Sequence, residues 1–441
     1  MKSSLRDNFC SSPWFHIKIN PQGNYQPCRW DFSGAISNHN ITNTSLSEYM
    51  NSDIMNTLRS QLLNGESPAT CSSCRNEGQY DKVNGRQRQL LKSGISLNNF
   101  DKSFCSSPHW DLFEYSADNQ GQTNYMPIDL QIDLGNTCNS ACIMCAPTHS
   151  SKLATDYIKL KLIDPDVFKN YAVGPNWADN DALVDKFVNE IANIPNIKYI
   201  HFLGGETLYL KSFYKICNRL IDLGYSKNVS IGATTNCTVY TPELEYIIKN
   251  FKHVHLGLSI EVFHLLNDYI RYPSDINQIR DNIKLFLNLR NQTDLHLSLR
   301  ITPNLLSIYH IDSIFEFMLA NKIIAESCNV FIEPSCLRIE LLPNDLRLDI
   351  LAKINKLIDQ HKLTKPSDVI VNRRRDDLVD PVNESIIFEY KHILETYRAP
   401  KNVKEERLNL IKFIKAFESL RNNSILDYLP EYEEFLRSHG Y

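Results

Sequence analysis

Three closely spaced cysteines are the strongest chemical signal in the sequence. Cys138, Cys142 and Cys145 follow a strand-like run and form a C-x3-C-x2-C pattern. A closed structural zinc site needs four protein ligands, and the nearest other cysteines, Cys105 and Cys217, are far away in the sequence. A 4Fe-4S cluster normally takes four cysteines. Three thiolates would therefore leave one iron open to a ligand that is not protein.

This pattern and its position after a strand resemble the radical S-adenosylmethionine (radical SAM) superfamily, which carries it in the loop after the first barrel strand. The resemblance implies that S-adenosyl-L-methionine (SAM) binds the open iron through its amino and carboxylate groups. It also implies an enzyme that cleaves SAM reductively to a 5'-deoxyadenosyl radical. The alternative from the residues alone is a cysteine cluster that is merely buried or that binds zinc.

A second group of cysteines lies near the start of the chain. Cys10, Cys28, Cys71 and Cys74 follow the pattern C-x12-G-x4-C and then C-x2-C, with Gly23 as the glycine. Four thiolates could close a zinc site or ligate an iron–sulfur cluster completely, and spacing alone does not choose between them. The pattern resembles the twitch domain, a shortened SPASM domain, and implies an auxiliary 4Fe-4S cluster. Such domains usually follow the barrel, whereas this one precedes it.

Short motifs after the second and third predicted strands add to the resemblance. Gly204, Gly205 and Glu206 contain the only Gly-Gly pair of the chain and resemble the radical SAM GGE motif, whose residues bind the SAM amino group. A Gly-Gly turn into a helix is the alternative. Asn236 ends a Thr-Asn pair that often precedes glycine in the superfamily, although Cys237 stands in that place here. We therefore predict that these residues bind SAM.

The fourth predicted strand leads into residues 259–271, which resemble a Ser-x-Asp motif followed by Tyr-x-x-Ile-Arg. Arginine binds a carboxylate through two hydrogen bonds, so Arg271 is the candidate for the SAM carboxylate. Ser259 and Glu261 are the candidates for the ribose. Met144 replaces an aromatic residue that is frequent in the superfamily and is expected to pack on adenine. Each of these residues could instead be a surface or capping residue.

The remaining cysteines allow a further hypothesis. A thiol at the mouth of a strand could return a hydrogen atom to a substrate radical, as in some radical SAM epimerases. Cys237 and Cys336 are the candidates for this catalytic role, and Cys328 is a weaker one. Buried free cysteines are much commoner than such donors. Cys105 has no partner cysteine nearby and is predicted not to be a ligand.

The segments between the motifs predict the elements that position them. Strands alternate with helices from Pro127 onwards, which is typical of parallel βα units. Polar and apolar residues alternate along these strands, whereas a filled parallel sheet is apolar on both faces. We therefore expect the polar face to line a lumen that holds a ligand, with the motifs at the C-terminal ends of the strands. The predicted strands lie near Ile128, Ile197, Val229, Val254, Leu295 and Val330.

The predicted fold class is α/β, with the partial (β/α)6 TIM-type barrel that the resemblance implies. We predict a twitch-like cluster domain at 1–80, a linker at 81–126, the radical SAM barrel at 127–340 and a helical extension at 341–441. Thr241 and Pro242 are expected to cap and open one barrel helix. Helices of the extension are predicted at 346–361, 384–396 and 403–420.

Composition excludes several classes of protein. The 441 residues include 47 Lys and Arg against 51 Asp and Glu, a net charge of −4, so nucleic acid is an unlikely partner. No signal-peptide core and no membrane-spanning apolar run occur, which favours a cytoplasmic protein. Twelve cysteines in such a chain indicate metal or redox chemistry rather than a disulfide framework.

The sequence thus predicts a radical SAM enzyme whose substrate is a peptide or protein side chain, with flavodoxin or ferredoxin as the implied electron donor. Oxidation of a carbohydrate alcohol and modification of RNA remain alternatives. A zinc-binding or redox-sensing scaffold is the alternative outside enzymes. No winged-helix module for peptide recognition is visible, which counts mildly against an enzyme that depends on a leader peptide.

Overall fold

The computed structural model describes residues 3–29, 38–77, 85–166, 176–328, 334–365 and 383–441. In these residues an eight-stranded sheet has the order β2-β1-β3-β4-β5-β6-β7-β8. The pair of β1 and β2 is antiparallel, and the other neighbouring strands run parallel. The strands are β1 (His16–Ile19), β2 (Tyr25–Gln26), β3 (Asp129–Asp133), β4 (Tyr199–Leu203), β5 (Ser230–Thr235), β6 (His253–Ser259), β7 (Leu295–Ile301) and β8 (Ile324–Cys328).

Helices precede the barrel, alternate with its strands and continue beyond it. Those before β3 are α1 (Ser3–Asn8), α2 (Ser12–Phe15), α3 (Leu46–Met50), α4 (Asp53–Leu63), α5 (Ser72–Glu77), α6 (Gly85–Lys92), α7 (Phe100–Cys105) and α8 (Trp110–Asp118). Those between β3 and β8 are α9 (Ser151–Lys159), α10 (Asp181–Ala192), α11 (Lys211–Asp222), α12 (Pro242–Asn250), α13 (Leu266–Ile270), α14 (Ile276–Arg290) and α15 (Ile311–Asn321). The C-terminal helices are α16 (Asn344–Gln360), α17 (Asn383–Thr396), α18 (Val403–Arg421) and α19 (Glu433–Arg437).

The two faces of the sheet differ as the alternation predicts. Leu130 and Ile132 of β3 belong to the apolar core. Gln131, between them, points to the other face, and its register partner on β4 is His201. His255 also lies on this polar face, where its Nε2 is 2.9 Å from the Ser298 hydroxyl. The predicted α/β class and the partial barrel of parallel βα units are confirmed.

The sequence analysis did not predict that the N-terminal region contributes to this sheet. Strand β1 pairs in parallel with β3, so that Ile17 lies beside Leu130 and Lys18 beside Gln131. Both isoleucines of β1 are buried in the same core as the barrel strands. The predicted cluster domain and the barrel therefore share one continuous sheet.

Most predicted elements occur close to their expected positions. Thr241 caps α12 through a bond from the Leu244 amide, and Pro242 opens that helix. The three helices predicted in the extension correspond to α16, α17 and α18. The sixth barrel strand was expected near Val330, which lies outside the described residues, and β8 ends at Cys328.

No helix in the described part of the chain is both long and apolar enough to cross a membrane. The cytoplasmic location inferred from the sequence stays a prediction.

Candidate functional site

The three cysteines of the C-x3-C-x2-C pattern lie in the loop that follows β3. The loop is fixed at several points by its own backbone and by the last residue of α13. The Ile143 amide donates to the Ile270 carbonyl at 2.9 Å. The Cys145 amide donates to the Cys142 carbonyl at 3.0 Å, and the Ser140 amide lies 3.4 Å from the Cys138 sulfur. The loop is thus held at the C-terminal end of the barrel strands, as predicted.

The environment of these thiols fits iron ligation. Burial is the largest cause that raises the pKa of Cys138 to about 11 and that of Cys145 to about 12, and neighbouring thiols add to both shifts. Burial also raises the pKa of Cys142. Such thiols stay protonated at neutral pH unless a bound metal stabilises the thiolate. Three sulfur donors without histidine are the chemistry of an iron–sulfur cluster with one open iron.

The Gly-Gly pair supports the cysteine loop directly. The Gly205 amide donates to the Gly135 carbonyl at 2.8 Å, and the Glu206 amide donates to the Thr137 carbonyl at 3.1 Å. A Cβ atom on Gly205 would lie only 2.4 Å from the Thr137 carbonyl oxygen. A Cβ on Gly204 would meet the side chain of Leu210 at 2.6 Å. Glycine at 205 therefore lets the end of β4 approach the loop just before its first cysteine.

Glu206 is a buried carboxylate beside this loop. It accepts hydrogen bonds from the Asn236 amide at 2.6 Å and the Leu208 amide at 3.2 Å. Burial raises its pKa from 4.5 to about 7, although these bonds oppose the shift. The Asn236 side chain donates to Asn139 at 2.8 Å and to the Ser140 hydroxyl at 3.0 Å. The structure therefore brings Glu206 and Asn236 together with the cysteine loop.

Arg271 and Glu261 also lie at this loop. Arg271 Nη2 donates to Glu261 Oε1 at 2.6 Å, and Nη1 lies 3.8 Å from the Cys142 sulfur. The other carboxylate oxygen of Glu261 accepts a bond from the Thr302 amide at 3.2 Å. Ser259 ends β6 and is partly exposed. Arg271 and its partner Glu261 thus lie beside Cys142.

The remaining candidates differ in position. Met144 is partly buried and packs against the core. Cys237 is fully buried at a positive φ of 63°, and its sulfur lies 3.7 Å from the Thr235 carbonyl. Cys336 is also buried in the core. A hydrogen-donor role for Cys237 or Cys336 stays a prediction.

The four N-terminal cysteines come together from separate elements. Cys10, Cys28, Cys71 and Cys74 line one pocket. Cys10 precedes β1, and Cys28 follows β2, which runs back antiparallel to β1. Burial raises the pKa of Cys10, and the other three thiols raise it further. Four convergent sulfur donors fit a completely ligated cluster.

Two functional candidates were missed by the sequence analysis. Arg86, from the predicted linker, donates its backbone N–H to the Cys74 sulfur at 3.2 Å and its Nε to the Phe9 carbonyl at 2.8 Å. Arg421, at the end of α18, donates to the Ala141 carbonyl of the first cysteine loop at 2.6 Å. No sequence pattern indicates either contact, because the partners are far apart along the chain.

In the described ranges, no group of three His, Cys, Asp or Glu side chains is placed to hold one metal ion. In a 4Fe-4S cluster each thiolate binds a different iron, so the sulfurs do not need to converge on one atom.

Two family models match the chain. Residues 132–300 match the radical SAM superfamily, and residues 10–75 match an iron–sulfur cluster-binding domain, SPASM. The protein is a radical SAM enzyme. More particularly, it carries a SPASM-type iron–sulfur domain ahead of its barrel, and its cofactors are 4Fe-4S clusters and SAM.

Several solved structures are similar to the chain at low identity. SuiB of Streptococcus suis bound to S-adenosylmethionine is 15% identical with a TM-score of 0.37, over 73% of this chain and 67% of that chain. SuiB bound to the precursor peptide SuiA is 14% identical with a TM-score of 0.33, over 70% and 64%. A third SuiB structure is 15% identical with a TM-score of 0.34, over 81% and 70%. A comparison with curated proteins gave no match.

Proposed function

We propose that this radical SAM enzyme abstracts a hydrogen atom from a side chain of a peptide or protein and thereby modifies it. The SPASM match at residues 10–75 supports this proposal, because twitch and SPASM relatives often modify peptides or proteins. Oxidation of a carbohydrate alcohol and RNA modification by the same radical are the competing functions. The net charge of −4 favours neither of them.

The observation that carries the proposal is the position of the two cysteine sites relative to the sheet. Cys138 follows the end of β3, whereas Cys10 precedes the start of the parallel neighbour β1. The two sites therefore lie at opposite ends of these strands, separated by roughly 17 Å of strand. The polar sheet face lies between them. A substrate bound on that face would have the SAM site at one end and the auxiliary site at the other.

The chain's own residues would hold SAM at the first site. Cys138, Cys142 and Cys145 would ligate the cluster, which when bound supplies the electron that cleaves SAM to methionine and a 5'-deoxyadenosyl radical. Glu206 offers a buried carboxylate to the SAM amino group. Arg271 retains a donor that its bonds to Glu261 and Cys142 do not use, since its buried Nε has no hydrogen-bond partner among the residues that the structure describes. We assign that donor to the SAM carboxylate.

The other assignments follow from position at this site. We assign the wall around the methionine part of SAM to Gly204, Gly205 and Asn236. We assign the wall around the ribose to Ser259 and Glu261, and the wall around adenine to Met144. The auxiliary cluster on Cys10, Cys28, Cys71 and Cys74 would bind substrate or carry an electron away. Flavodoxin or ferredoxin is the proposed electron donor.

Anaerobic reconstitution tests the two cluster sites. The native chain should bind about eight irons, and Cys138→Ala or Cys71→Ala should each remove about four of them. The Cys138 variant should also lose 5'-deoxyadenosine formation from SAM. Cys105→Ala, at an exposed cysteine that does not line the N-terminal cysteine pocket, is the matched control. A zinc scaffold would bind zinc and form no 5'-deoxyadenosine.

A second assay tests the substrate class. The reconstituted protein is incubated with SAM and reductant in deuterated water alongside candidate peptides, carbohydrate alcohols and RNA. A mass change or deuterium in a peptide, dependent on Cys138, supports the proposal. Product only in the carbohydrate or RNA reactions would replace it with the corresponding alternative.

A further inference from the structure

Two largely buried arginines from different elements lie at Cys142 and its loop. Arg271 reaches it directly, with Nη1 3.8 Å from the sulfur. Its side chain is 11% exposed, and Nη2 is held at 2.6 Å by Glu261, whose side chain is 0% exposed. The pair is fixed further because the Thr302 amide donates to the same carboxylate. The guanidinium is therefore held in one orientation beside a cluster ligand.

Arg421 reaches the same loop from the C-terminal helix α18. Its Nη2 donates to the Ala141 carbonyl, directly before Cys142, at 2.6 Å and to Asp156 Oδ2 at 3.1 Å. The guanidinium also lies over the rings of Tyr272 at 4.8 Å and Phe417 at 4.5 Å. Its side chain is 2% exposed, so the charge is fixed inside the protein.

Both positive charges act on the sulfur of Cys142. Arg271 Nη1 lies 3.8 Å from this sulfur, and Arg421 donates to the carbonyl of the residue directly before it, while Glu261 is paired with Arg271. A buried charge acts strongly because the local dielectric is low and solvent does not screen it. The same charges would act on a cluster bound to this sulfur, since second-shell charge and hydrogen bonds to ligand sulfurs tune a cluster.

We propose that Arg271 and Arg421 set the reduction potential of the SAM cluster by holding positive charge at Cys142, with Glu261 as the opposing charge. When the donor passes one electron to the cluster, the cluster becomes more negative by one charge. The two guanidinium groups stabilise that added charge, and the carboxylate opposes it. Both arginines are positioning residues, because they act through the ligand and its loop. The inference rests on the proposed assignment of the SAM cluster to Cys138, Cys142 and Cys145.

The test is a potentiometric titration of the reconstituted full chain without SAM, followed by electron paramagnetic resonance. Arg271→Gln and Arg421→Gln should shift the SAM cluster to lower potential. Glu261→Gln should shift it to higher potential, because the opposing charge is removed while Arg271 remains. Arg271→Lys and Arg421→Lys, which keep the charge, should restore most of the native value. A purely structural role would not give shifts of opposite sign.

Two controls make the result specific. The auxiliary cluster in the same molecule should keep its potential in every variant. Arg437→Gln removes an arginine that is 60% exposed and paired with Glu433, and it should leave both clusters unchanged. If iron binding is intact but Glu261→Gln and Arg421→Gln leave the potential of the SAM cluster at the native value, the inference is overturned while the proposed function stands. Absence of a cluster that depends on Cys138 in the native chain would overturn both.

Discussion

The protonation state of the Glu206 carboxyl group depends on its surroundings. This carboxyl group is held at the end of β4 by two backbone amides, and burial raises its pKa to about 7. Below this pH the carboxyl group is mostly neutral, and above it the group is mostly ionised. Only the ionised form leaves both carboxylate oxygens free of protons, so that they can accept hydrogen bonds from the iron-bound amino group of SAM.

SAM binding is therefore expected to strengthen as the pH rises. If SAM binds only the ionised form, its affinity should increase about tenfold between pH 6 and pH 8. Equilibrium titration of the reconstituted protein with SAM, without reductant, measures this. Glu206→Gln should bind SAM weakly and without the pH dependence, whereas Glu245→Gln, at a carboxylate paired with Lys249 on α12, should behave as the native chain. A native affinity that is constant over this range would contradict the assignment.

Gly205 permits a close backbone contact because glycine has no Cβ atom. We expect Gly205→Ala to displace the cysteine loop, because its Cβ would overlap backbone oxygens of Thr137 and Asn136 at 2.4 and 2.6 Å. Iron content should fall by about four per chain while the auxiliary cluster remains. Gly224→Ala is the control, since nothing lies within 4 Å of a Cβ there, and only the cost of its positive φ of 69° applies. Full iron content in Gly205→Ala would contradict this reading of the contact.

At the scale of elements, β1 has a double role. It leads directly from Cys10 and α2 into the sheet, and it supplies the neighbour of β3, whose end carries the SAM cysteines. The pleat places Ile17 and Ile19 against the core and leaves His16 and Lys18 on the polar face. One short strand thus fixes the auxiliary site relative to the barrel.

Ile17→Ala is expected to destabilise the whole barrel and not merely the N-terminal region. Ile17 is 0% exposed, so its truncation should cost about 2–5 kcal/mol. Ile54→Ala, at a side chain that is 47% exposed, should change stability by less than about 0.5 kcal/mol. Denaturant unfolding followed by circular dichroism compares them. Equal midpoints for both variants would show that β1 is peripheral.

At the scale of the whole molecule, the C-terminal region is part of the barrel. Tyr432 is 0% exposed, packs on Tyr309 and donates to the Leu305 carbonyl at 2.8 Å. Arg421, also in the C-terminal region, donates a hydrogen bond to the Ala141 carbonyl of the cysteine loop. Residues beyond the radical SAM match therefore help to form the site.

Tyr432→Ala should lower the free energy of unfolding by about 3–5 kcal/mol, because a large buried side chain is lost. Tyr432→Phe removes only the hydroxyl and should cost about 1 kcal/mol. Thermal unfolding measures both, with Tyr246→Ala, at a residue that is 51% exposed, as the control. If the alanine variant melted like the native protein, the C-terminal region would not be integral to the fold.

Local sequence patterns were enough to predict many of the elements and motifs of this protein. Alternation of polar and apolar residues predicted the barrel strands and the polar face, and Thr241 with Pro242 predicted the start of α12, because both patterns depend on neighbours in sequence. The C-x3-C-x2-C spacing and Gly204–Glu206 predicted the SAM site through their resemblance to radical SAM motifs, which are also local in sequence. The sixth strand was expected near Val330, which lies outside the described residues, and β8 covers Ile324–Cys328.

By itself the sequence predicted the class of chemistry and the succession of strands and helices from β3 onwards, since cysteine motifs and strand periodicity are local properties. Only the tertiary structure decided that β1 joins β3, that Arg86 reaches Cys74, and that Arg421 reaches Ala141. These contacts link residues that are up to 280 positions apart. Which distant groups meet is set by the packing of the whole chain, because no local pattern encodes the partner.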